Sequence, residues 1–141
     1  MDRGGLTVRN PEDACHVAVP CLDLDEVVDF YVAGLGCKLA RRYADRITLD
    51  FFGDQLVCHL SDPSQIISPV SFYPRHFGVT FRHQLDFERL AKLIQIRKIP
   101  FLVAPTVRFE QLAEEHLTMA VVDPANNVIE FKHYRDPRMM Y

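Results

Sequence analysis

The sequence predicts an α+β fold of two βαβββ modules, with paired curved mixed sheets around a cleft and helices on the outside. Three observations predict it. The order of strand-like and helix-like runs over residues 14–61 returns over residues 75–134. The opening phrase His16-Val-Ala-Val of the first unit is echoed by His76-Phe-Gly-Val at the start of the second. Residues 61–75, carrying Asp62-Pro63, Ser68-Pro69 and Tyr73-Pro74, form a loop-like joint between them. A repeat this long that occurs only twice is not a solenoid. The expectation is one domain over residues 1–141, with residues 1–13 as a flexible N-terminal segment.

Residues 15–20 are short and mostly apolar, as a strand requires. Asp23 then caps a helix, and Glu26 three residues on completes a capping-box pattern. Val27, Phe30, Tyr31 and Leu35 share one helical face, so Tyr31 reads as helix core rather than as an acid catalyst. Gly34 and Gly36 end the helix. Strand-like runs follow at roughly 37–42, 45–51 and 55–60, with turns at Ala44-Asp45 and Gly53-Asp54. Arg41-Arg42 reads as a solvated strand edge.

In the second unit, residues 76–81 are a strand. A helix starts at or just before Asp86, sets Phe87, Leu90, Leu93 and Ile94 on one face, and ends before Pro100. Residues 101–109 are strand then loop, 117–122 an apolar strand, 123–127 a turn, and 128–134 the last strand.

Composition narrows the function. With 16 Lys+Arg against 19 Asp+Glu, the net charge of −3 gives no reason to expect nucleic acid or an anionic membrane as partner. No apolar run approaches the roughly 20 residues of a membrane span. Residues 1–13 lack the apolar stretch of a secretory signal, so the cytoplasm is the expected compartment. Cys15, Cys21, Cys37 and Cys58 form no CxxC pair and are expected to be reduced and buried.

Four polar residues occupy matching places in the two units. His16 and His76 open the first strands, His59 lies in the last strand of unit one, and Glu130 in the last strand of unit two. Glu130 shares a face with Val128, because strand side chains alternate with period two. A carboxylate there is costly unless it is paired or bound to a metal. Imidazoles and a carboxylate around one divalent cation would resolve that cost.

The chain resembles the vicinal oxygen chelate superfamily, which includes glyoxalase I, extradiol dioxygenases, fosfomycin-resistance enzymes and bleomycin-resistance proteins. The residues that carry the resemblance are His16-Val-Ala-Val, Asp23-Leu-Asp and Phe30-Tyr-Val-Ala-Gly-Leu-Gly36, then His76-Phe-Gly-Val and Asp123-Pro-Ala-Asn-Asn-Val-Ile-Glu-Phe-Lys132. It spans about His16 to Asp136. It implies a metal held by His16, His59, His76 and Glu130, with Glu130 also the catalytic base. Glyoxalase-like members often carry Glu or Gln where this chain has His59. Residues 107–119 also resemble a small bacterial subgroup described as dioxygenases or glyoxalase-like proteins. This chain departs from that pattern at Asn127 and at residues 111–114, where Gln-Leu-Ala-Glu replaces a Gly-Pro-Gly-rich loop over the cleft.

The implied ligand set frames the chemistry. His16, His76 and Glu130 alone form a two-His, one-carboxylate set that suits Fe2+ and leaves three positions, enough for a catecholate and dioxygen. With His59 bound as well, two positions remain, which favours Lewis-acid lyase or isomerase chemistry with Zn2+, Ni2+ or Mn2+. The expectation is a metal-dependent dioxygenase or glyoxalase-type enzyme, a homodimer by resemblance, acting on a small molecule with vicinal oxygens. The alternative is a non-catalytic, antibiotic-binding protein of the bleomycin-resistance type. Arg108, His116 and Tyr134 are candidate substrate contacts. Arg108 and Glu115 flank the same loop and could pair with each other or orient an anionic substrate, and the ion pair is the favoured reading. His133 faces away from Glu130, and His83 sits at a strand-to-helix turn.

Overall fold

Eight strands pair into two four-stranded mixed sheets in the computed structural model, which describes residues 8–141. The first sheet has the order β1 (His16–Cys21), β4 (Asp54–Leu60), β3 (Arg46–Phe51), β2 (Lys38–Arg42). The second has the order β5 (Phe77–Thr80), β8 (Val128–Tyr134), β7 (His116–Val122), β6 (Phe101–Arg108). In each, the first strand of the unit lies parallel to the last and the other pairs are antiparallel. This is the expected repeat, and the strand boundaries fall within a residue or two of the pattern. Residues 1–7, most of the segment expected to be flexible, lie outside the described residues. Residues 10–13 form a turn in which the Asp13 carboxylate accepts from the Asn10 amide at 2.8 Å. No helix among the described residues is long and apolar enough to cross a membrane.

The alternation of side chains sorts each sheet into an apolar and a polar face. In the first sheet Ile47, Leu49, Phe51, Leu56 and Cys58 are buried on one side. The register places His16, Gln55, Val57, His59, Arg46 and Thr48 on the other. In the second, Met119, Val121, Ile129 and Phe131 are buried, while Thr118, Glu130, Lys132 and Tyr134 turn the opposite way. The apolar faces of both sheets and both helices join in one hydrophobic cluster, in which Phe51 of one unit stacks on Phe131 of the other at 6.3 Å.

The first helix differs from its expected form. It begins as α1 (Leu24–Val27), capped by the Asp23 carboxylate on the amides of Asp25 and Glu26. It then widens into a π-helical segment, Val28–Gly34, in which the Leu35 amide reaches back five residues to the Phe30 carbonyl. Gly36, with φ +82°, ends the element; Gly34 does not. Gly34 is needed for close packing, since a Cβ there would sit 2.9 Å from Ile99 Cδ1, and its carbonyl accepts from the Arg97 guanidinium at 2.8 Å. The second helix, α2 (Gln84–Ile96), buries Phe87, Leu90 and Ile94 as expected.

A buried polar link ties the units together. Tyr31, fully buried, donates its hydroxyl proton to Asp123 at 2.7 Å across 92 residues of chain. Asp123 also accepts from the amides of Ala125 and Asn127 and from the Asn127 side chain, which donates onward to the Pro20 carbonyl at 2.9 Å. Burial raises the Asp123 pKa from its ordinary value, and these donors oppose that shift. Burial likewise pushes the Tyr31 hydroxyl well above its usual range. The residue that takes the left-handed turn conformation is Asn126, with φ +63°, so the departure read at Asn127 belongs to its neighbour; Asn127 is the anchor.

The cysteines are all free thiols, but Cys15 is exposed, against expectation, because it lies just outside β1. Burial raises the pKa of Cys21 to about 11 and of Cys37 to about 12, and pushes Cys58 higher still. Native protein should therefore release about one equivalent of thionitrobenzoate from Ellman's reagent, and four once unfolded. Replacing Tyr31 with Phe should lower the unfolding free energy in urea by about 1–3 kcal/mol, because Asp123 loses a donor inside the core.

Candidate functional site

The polar face of the second sheet gathers the chemistry. β8 contributes Glu130, Lys132 and Tyr134, β7 contributes His116 and Thr118, and β6 contributes Thr106 and Arg108 in register with them. His76 stands just before β5, whose Gly78 lies opposite Glu130.

Glu130 is 7% exposed, and an ionised group so buried must have its charge answered. One carboxylate oxygen accepts from the Thr118 hydroxyl at 2.7 Å. The other lies 3.4 Å from His76 Nε2 and 3.9 Å from Lys132 Nζ. His76 Nδ1 is 2.9 Å from the Phe72 carbonyl. A carbonyl only accepts, so Nδ1 carries the proton and the Nε2 of a neutral ring presents a lone pair. In the neutral form two acceptors face each other, Nε2 and the Glu130 oxygen, and a cation or a second imidazole proton between them would relieve the repulsion. The 3.4 Å gap suits adjacent ligands of one divalent ion, each about 2.1 Å from it.

His16 is prepared in a similar way. Its Nδ1 lies 2.6 Å from the Gln55 side-chain oxygen, which leaves Nε2 free. His59 is exposed on the same face of the first sheet, opposite Arg46 in register. The four expected ligands thus fall two and two on the polar faces of the two sheets. The structure brings His76 and Glu130 together. Among the described residues no group of three or more His, Cys, Asp or Glu is arranged to hold a metal ion.

The remaining candidates sort as follows. Arg108 does not pair with Glu115, contrary to the reading the sequence favours. Glu115 is taken by Arg135 at 3.4 Å and by the Gln111 amide, because the 109–116 loop folds back as a turn with Phe109 and Gln111 at positive φ. Arg108 instead donates to the Tyr73 hydroxyl at 3.3 Å and lies over the Phe109 ring. His116 is 5% exposed, its Nδ1 held by the Glu114 carbonyl and its ring against Tyr134 at 4.7 Å. Tyr134 faces the Glu130 side, as period two requires, and its hydroxyl accepts from Lys132 at 3.2 Å. His133 turns away and meets the Phe81 carbonyl at 3.0 Å. His83 precedes α2 and is exposed.

Sequence reasoning missed Gln55, Phe72, Tyr73, Thr118 and Lys132. Lys132 and Thr118 were findable, since each lies an even step from a residue already placed on the polar face. Phe72 and Tyr73 carried no periodic signal. They belong to the segment 66–75, which crosses the polar face and packs Phe72 on His76 at 4.8 Å. Beneath it is a cavity of about 670 Å³ that reaches Thr118 and Glu130. A second cavity, of about 780 Å³, lies between β1 and the residues flanking β5 and β8, with His76 on its wall.

Comparison with known proteins agrees with this architecture. A family model described as the Glyoxalase/Bleomycin resistance protein/Dioxygenase superfamily matches residues 15–131. A crystal structure described as a glyoxalase/bleomycin resistance protein/dioxygenase from Alicyclobacillus acidocaldarius is 61% identical, with 95% of this chain and 100% of that one covered and a TM-score of 0.90. Two distant structures share the fold. One is a genomically encoded fosfomycin resistance protein from Listeria monocytogenes, 11% identical, covering 90% and 97% of the two chains, TM-score 0.65. The other is a lactoylglutathione lyase from Agrobacterium tumefaciens, 14% identical, covering 89% and 96%, TM-score 0.63. No curated protein matches the chain.

A Cβ at Gly78 would sit 1.6 Å from the Glu130 carbonyl oxygen, so β5 can lie beside β8 only with glycine there. Gly78→Ala should cost about 1–3 kcal/mol of stability in urea, since overpacking forces the strands apart.

Proposed function

We propose that this chain, which belongs to the Glyoxalase/Bleomycin resistance protein/Dioxygenase superfamily, is a divalent-metal-dependent enzyme acting on a small molecule with vicinal oxygens. The observation that carries the reading is the approach of His76 Nε2 to the buried Glu130 carboxylate, 3.4 Å apart, with His76 Nδ1 held by the Phe72 carbonyl so that Nε2 is aimed at it. His16, whose Nε2 is left free by Gln55, and His59 would complete the set. When bound, the ion supplies a Lewis acid to the substrate oxygens, with Fe2+ the expected metal for ring cleavage and Zn2+, Ni2+ or Mn2+ for lyase or isomerase chemistry.

The chain's own groups divide the remaining work. Thr118 holds one Glu130 oxygen and aims the other, so that the oxygen that would hold the metal would also be the one to take and return a substrate proton. Tyr134, oriented by Lys132 and the His116 ring, is placed to hydrogen-bond a substrate oxygen. The four free thiols support a reducing compartment such as the cytoplasm.

Because the ligands fall two and two on separate polar faces, a homodimer is part of the proposal. The first sheet of one copy would face the second sheet of its partner. A second reading has one observation in its favour. Lys132, 3.9 Å from Glu130, answers the carboxylate's charge without a metal, as a binding protein of the bleomycin-resistance type would need.

Metal analysis of untagged protein tests the first reading. About one divalent ion per chain is expected, and Glu130→Ala should weaken binding by ~100-fold or more. Wild-type affinity in Glu130→Ala would remove the proposal. His59→Ala separates the enzyme classes: retained affinity points to three ligands and oxygen uptake with a catechol, lost affinity to a lyase or isomerase. For the dimer, His16→Ala and Glu130→Ala chains mixed by unfolding and refolding should regain metal, since an exchanged heterodimer holds one intact site. No regain would place each site within one chain.

A further inference from the structure

We infer that Arg108 binds the carboxylate of an amphipathic substrate whose apolar body lies between the segment Val70–Tyr73 and β6. This rests on the proposal that the polar face of the second sheet is the substrate site, and it names the substrate class for it.

Three observations lead there. The first is charge. Glu130 is answered by Thr118 and Lys132, whereas Arg108 makes no ion pair among the described residues. Its hydrogen bond to the Tyr73 hydroxyl is long, at 3.3 Å, for an N–H···O contact. A guanidinium fork is matched to a carboxylate, which it binds through two parallel hydrogen bonds.

The second is the wall. Val70 and Phe72 from the connecting segment and Val103 and Val107 from β6 line the cavity of about 670 Å³ that Arg108 shares with Glu130. Tyr73 is 60% exposed and Val70 37%, so the roof carries apolar surface open to a ligand. One guanidinium in apolar walls suits a singly charged carboxylate better than a phosphate dianion.

The third is distance. Arg108 is in register with His116, and His116 with Tyr134. Glu130 is four residues back along β8 and two strands across. Strand spacing and rise put the two positions roughly 10 Å apart across the sheet and about 13 Å along it. A substrate that spans them carries its carboxylate beyond an apolar spacer, remote from the chelated oxygens. A short 2-oxoacid, whose carboxylate adjoins its carbonyl, does not reach.

The test is a calorimetric titration of the full chain with 4-phenylbutanoate and with 4-phenylbutanamide, each with and without EDTA. With EDTA present no metal can take the carboxylate, so the result in that arm is independent of metal, and its failure is separable from failure of the metal proposal. The carboxylate should bind about ten-fold tighter than the amide, as a charge-assisted hydrogen bond to Arg108 requires. Arg108→Met should erase that preference and leave amide binding unchanged. Phe72→Ala should weaken both probes alike. Equal binding of the two probes, no binding of either, or equal loss of both in an Arg108→Met protein with unchanged thermal unfolding would overturn the inference.

Discussion

A carboxylate almost closed to water has to have its charge answered, and the answer given to Glu130 organises the second unit. Thr118 reaches it diagonally from β7 and Lys132 from its own strand, while His76 approaches it from the entrance to β5. Each of those approaches depends on something further out. His76 is turned by the Phe72 carbonyl, so the connecting segment must cross the sheet where it does. β5 must lie against β8 closely enough that only glycine fits at position 78.

The two units are held in relation by a different kind of contact. Their apolar faces close on one cluster, which is non-directional and would tolerate sliding. The link from Tyr31 to Asp123, and through Asn127 to Pro20, is directional. It registers the helix and first strand of unit one on the turn before the last strand of unit two. The π-helical widening after Val27 belongs to the same arrangement, since Tyr31, Gly34 and Leu35 all lie in or beside it. One consequence is that the polar faces, which carry the candidate ligands, remain available to another molecule.

Much of this was legible in the sequence. Period two put Glu130 and Tyr134 on one face and His133 on the other, and all three lie so. The doubled element order was readable because each βαβββ unit has its own punctuation. What was not legible came from contacts between residues distant in the chain. Nothing near Arg108 tells that Glu115 is claimed by Arg135, and nothing near Cys15 shows that it falls just outside the strand. Phe72 and Tyr73 lie in a stretch without period, where only the fold decides which side chains meet the site. The helix was read correctly in its Asp23 cap and its core face, while the Glu26 half of the expected capping box is not made. Its widening was missed, because Gly34 looked like a terminator when its role is to admit Ile99.

The pairing of first strand with last in each sheet also sets an order of assembly. β1 finds its partner within the first 60 residues, so the sheet that carries His16 can be completed while the rest of the chain is still being made. β5 must wait for β8, and Tyr31 for Asp123. These are contacts of long sequence separation, whose loop-closure entropy is paid before they return any stability. His76 meets Glu130 only when the final strand docks. The contact between His76 and Glu130 is therefore among the last that the nascent chain can make.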